Sequence, residues 1–597
     1  MWKNIIYILD DQLSVFGQME IQQGQRICQL QDGRVVVSDK EISIASIKTV
    51  LREVDFTTGG WGETYTFPGD SLHGLYPAGK NDPYDIYLND GSYLFGYNLA
   101  TGDRFQILNW LDTGVELRFL QHLLFLGDER IYLIINQGNI ISGFNTKLIN
   151  LIRTAKDDLP EVEIITLGGF DIKNNPDVGQ HVQVFNFLNR HQYRIELIDY
   201  RDYIAFNDDG SHYINELRFL TDLVTGRAPD ILYYSIPFFM ETAKQGLFLD
   251  LFTLIDNDPE LSRSDFFPSI LSAISAPDRS LPAVDNTFSI TTMIGMPDMV
   301  GGIQSWTFTE MLKFIEQTED PDIPLILFEN MLADRFMDMV FRYSSRDIID
   351  WDNKKAYLDS SNFIDLLEVA YRLPRNLPDA YDLWETWGFL NTGIDSSLTR
   401  LLRGEQMFEL IHLFGPEYYM MYTGMLGDDI VALGMPTQDG GAHSIMMYAG
   451  YAISASSKNQ TVAWEFVRSI LSREAIQIPE TRMDTYLGYF PLRIDLFDDW
   501  ITYYKTPVFI IDGNEVEASF GGIGIFDDMV WLYTMTDAEE MGLRKIIENA
   551  SIINHFDATI LSILNEELPQ FLAGNRSAAD TARVLQNRVQ TYLNERG

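Results

Sequence analysis

The sequence predicts an α/β protein of two lobes preceded by a β-rich module, and three changes of pattern along its 597 residues support this prediction. Residues 1–160 carry short runs of β-branched and aromatic residues bounded by turn residues, which is typical of antiparallel strands. From residue 161 onward, strands alternate with amphipathic helices, as in a mostly parallel sheet. Residues 305–480 and 536–595 are largely helical in pattern.

Repeated turn signals make the β-rich module similar to part of a β-propeller. Asp32-Gly33 precedes the apolar run Arg34-Val35-Val36-Val37, and Asn89-Asp90-Gly91 precedes an apolar strand that ends at Thr101-Gly102-Asp103. Such pairs favour hairpins. Two or three of these units fit before residue 160, whereas a closed propeller has at least about four blades. We therefore predict either a partial propeller or an open sheet completed by another segment, with a plain β-rich domain as the alternative.

The α/β pattern begins with a strand that ends at Gly168-Gly169. Two more strands and two helices follow it, and the second helix has Ile214, Leu217, Leu220 and Leu223 on one stripe. The predicted order is strand 162–167, helix 176–191, strand 193–198, helix 211–225 and strand 229–233. Consecutive strands joined by helices predict parallel pairing through right-handed crossovers.

Charge and cysteine content exclude several classes of protein. The chain has 44 Lys and Arg against 86 Asp and Glu, so its formal charge of −42 repels nucleic acids and anionic membranes. Cys28 is the only cysteine, so it forms neither an internal disulfide nor a multi-thiolate metal site, and we expect it in a core. No apolar stretch reaches the roughly 18 to 20 residues of a membrane span.

Catalytic motifs are absent from the sequence. It has no P-loop, no zinc-protease motif, no nucleophile elbow and no dinucleotide-binding glycine motif. Its eight histidines are scattered, so we predict no metal and no other cofactor. Paired acids such as Asp498-Asp499 and Asp527-Asp528 are best interpreted as solvated surface in so acidic a chain. We predict that the protein is not an enzyme, and the alternative is a glycoside hydrolase or lyase with an accessory β-domain.

Five short motifs follow one another through the α/β part. They are Phe185-Asn186-Phe187 before Tyr193-Arg194-Ile195-Glu196, Thr225-Gly226-Arg227-Ala228-Pro229-Asp230-Ile231, Gly246-Leu247-Phe248-Leu249-Asp250-Leu251, Ser457-Lys458-Asn459 with Ala463-Trp464-Glu465-Phe466, and Phe571-Leu572-Ala573-Gly574-Asn575 before Leu585-Gln586-Asn587-Arg588-Val589. Their order resembles that of bacterial extracellular solute-binding proteins of the maltose-binding type.

This resemblance covers residues 161–597 and implies a periplasmic-binding-protein-like fold of type II, with lobe crossings near 281–305 and 430–460. It implies a component of an ABC importer that captures a solute between its lobes, most simply a carbohydrate, and delivers it to the membrane permease subunits. It also implies an extracellular protein, anchored at the cell surface through a signal or lipoprotein segment that would precede this sequence. A peptide-binding or surface interaction protein is a further alternative.

The resemblance also suggests where ligand contacts lie in the first lobe. The turns that follow the first and third strands of the α/β part face the ligand in such folds. Here those turns supply Gly169, Phe170 and Asp171, and then Tyr233 and Tyr234. Glycine permits close approach of a backbone, and tyrosine offers a ring face with a hydroxyl group. For one tyrosine of the pair we expect a core position.

The second lobe contributes the remaining predicted contacts. The run Leu433-Gly434-Met435-Pro436-Thr437-Gln438-Asp439-Gly440-Gly441 resembles a ligand-facing loop of the family, with Met435 in place of an aromatic residue, and it contributes Asp439 and Gly440. Asp285 and Phe288 lie at the first predicted crossing, where Asp285 either accepts hydrogen bonds from a sugar or caps a turn.

Three tryptophans complete the predictions for the second lobe. Trp384 and Trp387 have polar neighbours and are candidates for stacking on a ligand, although we expect at least one of them in the core. We expect Trp306 to be a packing anchor and Thr307 and Thr309 to be helix-capping residues.

Overall fold

The chain forms two compact units in the computed structural model. One unit comprises Met1–Tyr233, Ile453–Ile470 and Ile478–Asp484, and the other comprises Tyr234–Ala452, Leu471–Gln477 and Thr485–Gly597. The structure describes residues 4–595 except 22–25, 43–46, 67–73, 80–81, 92, 116, 118–119, 126–129, 140–142, 155–160, 201–204, 207–211, 214–215, 301–302, 304–305, 319–331, 352, 374–396, 405, 428–429, 438–439, 448, 474–488, 512–513, 518–521, 526–527, 532–533 and 554–556.

The β-rich module consists of four successive antiparallel sheets, each formed by strands adjacent in sequence. The sheets are β1–β2, β3–β6, β7–β10 and β11–β13. The strands are β1 (Asn4–Leu9), β2 (Val15–Ile21), β3 (Ile27–Gln29), β4 (Val35–Ile42), β5 (Ile47–Asp55), β6 (Gly60–Thr66), β7 (Gly74–Pro77), β8 (Ile86–Asn89), β9 (Tyr93–Tyr97), β10 (Arg104–Asn109), β11 (Leu120–Phe125), β12 (Arg130–Asn139) and β13 (Gly143–Ile152). The described residues form no closed propeller, but the repeated antiparallel units that the turn signals predict are present.

Neighbouring sheets of the module share apolar cores. Val37 and Val54 of the second sheet pack with Ile8 and Met19 of the first. The second and third sheets share a core that includes Cys28, and burial raises the pKa of this thiol to about 11. Cys28 is therefore the inert core residue that the sequence predicted. The third and fourth sheets share a core of Ala78, Tyr87, Leu94, Trp110, Val115, Leu120, Leu123, Leu133 and Ile135.

A four-stranded sheet with parallel strands at its centre follows the module in sequence. Its strand order is β15-β14-β18-β26, and β14 pairs in parallel with both β15 and β18. This confirms the parallel pairing and the α/β class predicted from strand–helix alternation. The elements are β14 (Glu163–Gly169), α1 (Pro176–Leu188), β15 (Tyr193–Asp199), β16 (Ala205–Phe206), β17 (His212–Tyr213), α2 (Glu216–Val224), β18 (Ile231–Ser235), β26 (Ala449–Ile453) and α12 (Gln460–Leu471).

The carboxylate of Asp230 joins three segments of this unit. Its Oδ2 accepts hydrogen bonds from the amide and the hydroxyl group of Thr166 on β14, both at 2.9 Å. Its Oδ1 accepts a hydrogen bond of 2.6 Å from the Ser457 hydroxyl group, which lies in the segment that returns to the unit after β26. The Pro229-Asp230 pair of the third strand therefore has a structural role: it fixes β14 and the returning segment at the start of β18.

Helix α1 connects the β-rich module to this sheet. The side-chain amide of Gln183, which is 6 % exposed, donates to the carbonyl groups of Trp110, at 3.0 Å, and Val115. An ion pair of 3.2 Å joins Arg194 of β15 to Asp112. The module is thus attached to the α/β part of the first unit by a buried side-chain amide and a partly exposed ion pair.

The second unit contains a mixed sheet centred on β19, which pairs with β22, β23, β25 and β27; β24 and β32 extend the sheet from β25. Its helices are α3 (Ile236–Thr242), α4 (Leu251–Asp256), α5 (Pro268–Ala273), α6 (Pro297–Val300), α7 (Phe308–Thr318), α8 (Ala333–Ile348), α9 (Ser361–Arg372), α10 (Ser397–Leu402), α11 (Pro416–Leu426), α13 (Ile494–Tyr504), α14 (Asp537–Glu548), α15 (Ala558–Leu572) and α16 (Ala578–Glu595). Its strands are β19 (Thr287–Gly295), β20 (Ile349–Asp350), β21 (Lys355–Ala356), β22 (Glu409–Leu413), β23 (Val431–Ala432), β24 (Met435–Thr437), β25 (Gly440–Met446), β27 (Phe490–Pro491), β28 (Val508–Ile511), β29 (Asn514–Glu517), β30 (Gly522–Ile525), β31 (Asp528–Trp531) and β32 (Ala550–Ile553).

Two sequence predictions in this unit are confirmed. Trp306 is buried and packs at a ring distance of 5.0 Å from Phe408. Thr307 and Glu310 form a reciprocal cap at the start of α7: the Glu310 amide donates to the Thr307 hydroxyl oxygen at 3.2 Å, and the Thr307 amide donates to the Glu310 carboxylate at 3.1 Å.

We expect the substitution Gln183→Ala to destabilise the attachment of the β-rich module. It removes the side-chain amide that donates to the buried Val115 carbonyl group, at a cost of about 1 to 3 kcal/mol for an unsatisfied buried group, whereas the Trp110 carbonyl group keeps hydrogen bonds from the amide and the hydroxyl group of Thr113. Thermal unfolding of the full chain, followed by limited proteolysis of the module, measures this effect. Gln180→Ala, a substitution of a half-buried glutamine on the same helix, is the control. Equal melting temperatures for the two variants would contradict the role assigned to Gln183.

Candidate functional site

In the first unit, the predicted ligand turn lies at the carboxyl end of β14. A Cβ atom on Gly169 would lie 2.4 Å from the carbonyl oxygen of Tyr233, so only glycine fits between these two strand ends. The Asp199 carboxylate at the end of β15 accepts hydrogen bonds from the amides of Asp171, at 2.8 Å, and Lys173, at 3.1 Å. Asp171 has a φ of +57°. The turn is therefore rigidly built at the sheet edge where open α/β folds bind ligands.

The side chains of this turn divide between packing and exposure. The Phe170 ring is half-buried and packs against the rings of Tyr200, at 5.8 Å, and Phe219, at 5.4 Å. Asp171 is exposed, and its carboxylate accepts a hydrogen bond of 2.8 Å from the Asn174 side chain. Tyr233 is half-buried at the end of β18. The structure thus brings Gly169, Phe170, Asp171 and Tyr233 to one edge of the sheet.

Tyr234 belongs to the second unit. It is half-buried, and its ring makes an edge-to-face contact of 5.3 Å with Phe238.

The prediction that Phe288 contacts a ligand is corrected. Its ring is 0 % exposed and packs against Phe267, at 5.9 Å, and Phe490, at 5.6 Å. Because Phe490 lies opposite Phe288 in the β19–β27 pair, the ring is enclosed in the unit's core. Met435, which stands where an aromatic residue was expected, is also 0 % exposed and belongs to the core.

Asp285 and Gly440 are the other predicted contacts of the second unit that lie among the described residues. The half-buried Asp285 accepts a hydrogen bond of 2.7 Å from the Asn286 amide. Gly440 is buried with a φ of +123°, and its carbonyl group accepts a 2.7 Å hydrogen bond from the Thr437 hydroxyl group across the β24–β25 hairpin. Trp384, Trp387 and Asp439 lie outside the described residues.

An aromatic group that sequence reasoning missed lies where β22 ends. Phe414 directly follows β22, and its ring makes edge-to-face contacts with Tyr418, at 5.3 Å, and Tyr489, at 5.9 Å. The His412 ring lies 6.3 Å from that of Phe414. Tyr489 precedes β27 and is 43 % exposed. Because these rings meet at one end of the sheet and Tyr489 is accessible, they offer a surface for a flat or apolar ligand face.

Glu417 lies beside this aromatic group, in the first turn of α11. Its Oε2 accepts a hydrogen bond of 2.7 Å from the Tyr504 hydroxyl group. Its Oε1 is buried and has no hydrogen-bond partner among the described residues. Both oxygens lie over Gly415, 2.5 and 2.6 Å from the position that a Cβ atom there would occupy.

Burial raises the pKa of the Glu417 carboxyl group, while the Tyr504 hydrogen bond and the Glu417 backbone amide act in the opposite direction. In sequence, Gly415-Pro416-Glu417 is an ordinary helix start, with proline in the first turn and an acid beside the helix N-terminus. The sequence around Glu417 therefore could not distinguish a buried acid from an ordinary acid at a helix N-terminus.

Two histidines of the same sheet have structural partners. The Nδ1 atom of His412 lies 2.8 Å from the Thr291 hydroxyl group, and that of His443 lies 2.7 Å from the Thr292 hydroxyl group. Burial lowers the pKa of His412, and it lowers that of His443 to about 4, with a smaller contribution from Lys545. Both rings are therefore neutral hydrogen-bonding groups near pH 7.

Metal binding and membrane insertion receive no support from the described part of the chain. There, no group of three or more His, Cys, Asp or Glu side chains is arranged to hold a metal ion. Within the same ranges, no helix combines the length and the apolar character that crossing a membrane requires.

No family model and no curated protein matches the chain. Among solved structures it is similar to the sugar-binding protein MalE from Xanthomonas citri, with 14 % identity and a TM-score of 0.45 over 73 % of this chain and 98 % of that one. An ABC substrate-binding protein from Listeria monocytogenes in complex with cycloalternan shares 13 % identity, with a TM-score of 0.40 over 73 % and 99 % of the two chains. An extracellular solute-binding protein of family 1 from Alicyclobacillus acidocaldarius shares 14 %, with a TM-score of 0.42 over 73 % and 99 %.

These similar structures are ABC solute-binding proteins of the maltose-binding type, as the sequence motifs suggested.

We expect Glu417→Gln to gain thermal stability relative to the wild-type protein as pH rises. A folded-state pKa above the unfolded value means that the wild type loses stability as pH rises from the unfolded pKa through the raised one. Glutamine does not titrate. The difference in melting temperature, variant minus wild type, should therefore increase across that window and level off above it.

Glu548→Gln removes an exposed acid of the same unit and is the control for this measurement. A difference for Glu417→Gln that is as flat with pH as that of the control would contradict the buried state of the Glu417 carboxyl group.

Proposed function

We propose that this chain is the extracellular solute-binding component of an ABC importer and that its solute is a carbohydrate. In this role it catalyses no reaction: it captures the solute and delivers it to the membrane permease subunits. An extracellular location with a cell-surface anchor belongs to the same proposal. The observation that carries it is the set of exposed or half-buried aromatic and acidic side chains at the strand ends of each unit's sheet.

In the first unit, we propose that the turn after β14 and the end of β18 contact the solute. Gly169 lets the backbone approach closely, Asp171 offers an exposed carboxylate, and Phe170 and Tyr233 offer partly exposed rings. Sugar rings present apolar faces edged by hydroxyl groups, so ring faces next to carboxylate acceptors suit them.

In the second unit, the proposed contacts are the aromatic group of Phe414, Tyr418 and Tyr489. Tyr234, Asp285 and Gly440 remain proposed contacts of this unit, and so do Trp384, Trp387 and Asp439 beyond the described residues. Phe288 is withdrawn because its ring is enclosed in the core.

A ligand screen of the full chain by thermal shift and calorimetry tests the proposal. A ligand that binds only the folded state raises stability by about 2.7 kcal/mol at a hundredfold excess over its dissociation constant. We expect a shift with saccharides and no product after long incubation. Shifts with peptides alone would overturn the carbohydrate assignment, and turnover of a glycoside would overturn the binding role.

We expect Tyr489→Ala to weaken saccharide binding about tenfold, the loss that corresponds to about 1.4 kcal/mol of ring contact. Calorimetric titration with the saccharide found in the screen measures this. Tyr357→Ala is the matched control, because Tyr357 is a 39 % exposed tyrosine of the same unit that lies in a different segment. Equal affinities for the two variants would remove Tyr489 from the site.

A further inference from the structure

The carboxylate of Glu417 is only partly satisfied by hydrogen bonds from the described residues. One carboxylate oxygen has a tyrosine donor, and the other is buried with no partner among the described residues. Burying an oxygen atom without a hydrogen bond costs free energy, and the cost is larger when the oxygen carries charge. Such atoms are rare in native proteins. A buried acid with an unsatisfied oxygen is therefore a candidate for a functional role.

The groups around this carboxylate are aromatic. Tyr504 and its neighbour Tyr503 approach from α13, and their rings are 5.4 Å apart. Tyr418 is the next residue on α11, and Phe414 and Gly415 lie at the end of β22 beneath the carboxylate. Among the described residues, the titratable groups that interact with Glu417 include Tyr418 and Tyr504, and the neutral His412 ring lies one contact further away, beside Phe414.

Three aromatic rings pack together in the segments next to Glu417. Phe414 meets Tyr418 at an interplanar angle of 67° and Tyr489 at 84°. Tyr489 is 43 % exposed, so its ring can contact a ligand beside the packed rings of Phe414 and Tyr418. Ring faces attract cations, and an aromatic cage beside a carboxylate is the arrangement that recognises organic ammonium groups.

We propose that Phe414, Glu417, Tyr418, Tyr489 and Tyr504, the Glu417 cluster, bind a protonated amine of the solute. The inference rests on the proposed function and names its substrate class: an amino sugar or an oligosaccharide that contains one.

A protonated amine satisfies both needs of this carboxylate. An ammonium group donates the hydrogen bond that Oε1 lacks, and it also balances the buried negative charge. A sugar hydroxyl group would donate a hydrogen bond but would leave the charge uncompensated. The formal charge of −42 also favours the approach of a cation.

Two ligands that differ only in the charge of the nitrogen test this. Chitosan oligosaccharides carry free amines, and chitin oligosaccharides of the same length carry the neutral N-acetyl group. Calorimetry on the full chain should give at least a tenfold tighter dissociation constant for the chitosan oligosaccharide. Glu417→Gln keeps the size of the side chain and an acceptor for Tyr504, and it should remove that preference. Glu548→Gln is the exposed-acid control and should retain it.

A second measurement needs no variant. In the wild-type protein, affinity for the amine should fall as pH decreases through the pKa of the Glu417 carboxyl group, because its protonation removes the anion while the ligand stays cationic. Affinity for the N-acetyl ligand should change much less over the same range.

The results separate this inference from the function on which it rests. Equal affinity for both oligosaccharides, or a preference for the amine that survives in Glu417→Gln, overturns the inference. Binding of neutral saccharides would then still support the solute-binding role. Failure of every saccharide to bind overturns the carbohydrate assignment itself.

Discussion

The first unit depends on the hydrogen bonds of one carboxylate. Asp230 receives hydrogen bonds from the amide and hydroxyl group of Thr166 and from the hydroxyl group of Ser457. The Ser454 amide adds a backbone hydrogen bond to the Asp230 carbonyl group. A segment more than 200 positions later in sequence is thereby fixed to the start of β18. Charge-assisted hydrogen bonds of this kind are stronger than neutral ones, and sharing one acceptor couples the segments it joins.

The β-rich module is stabilised mainly by apolar packing between sheets that are neighbours in sequence. Such stacking makes stability a sum of nearest-neighbour interfaces, so the end of the stack needs a specific attachment to act with the rest of the unit. Gln183 and the Arg194–Asp112 ion pair provide it. The partly exposed ion pair contributes little by itself, whereas the buried Gln183 amide satisfies the Val115 carbonyl group, which would be costly to leave without a donor.

Two departures from an optimally stable structure lie near the strand ends that we assign to the solute. Gly169 is held where a side chain cannot fit, and Glu417 keeps a buried carboxylate oxygen without a partner. Groups of this kind lower stability, and proteins retain them where binding requires a preorganised polar atom. The Glu417 carboxylate thus lowers the stability of the folded protein and is also the group that we propose binds the ligand.

Local pattern by itself predicted the three parallel strands of the first unit and the helices between them. It did not predict the β16–β17 pair, which includes His212–Tyr213 of the predicted helix 211–225, or the addition of β26 to the sheet. Strand–helix alternation gave parallel strands, turn pairs gave the antiparallel sheets of the module, and isolated features such as Cys28 and the Thr307 cap were predicted from their immediate neighbours. These features depend on residues close in sequence, where periodicity and capping chemistry are directly legible.

Burial was decided only by the tertiary structure. Phe288 and Phe414 are both aromatic residues near strand ends, yet Phe288 is enclosed by Phe267 and Phe490, whereas the Phe414 ring lies beside the exposed Tyr489. Glu417 looks like a helix-capping acid until Tyr504, 87 positions later, covers it. Whether a side chain meets solvent, core or ligand depends on partners distant in sequence, and a local pattern carries no information about those partners.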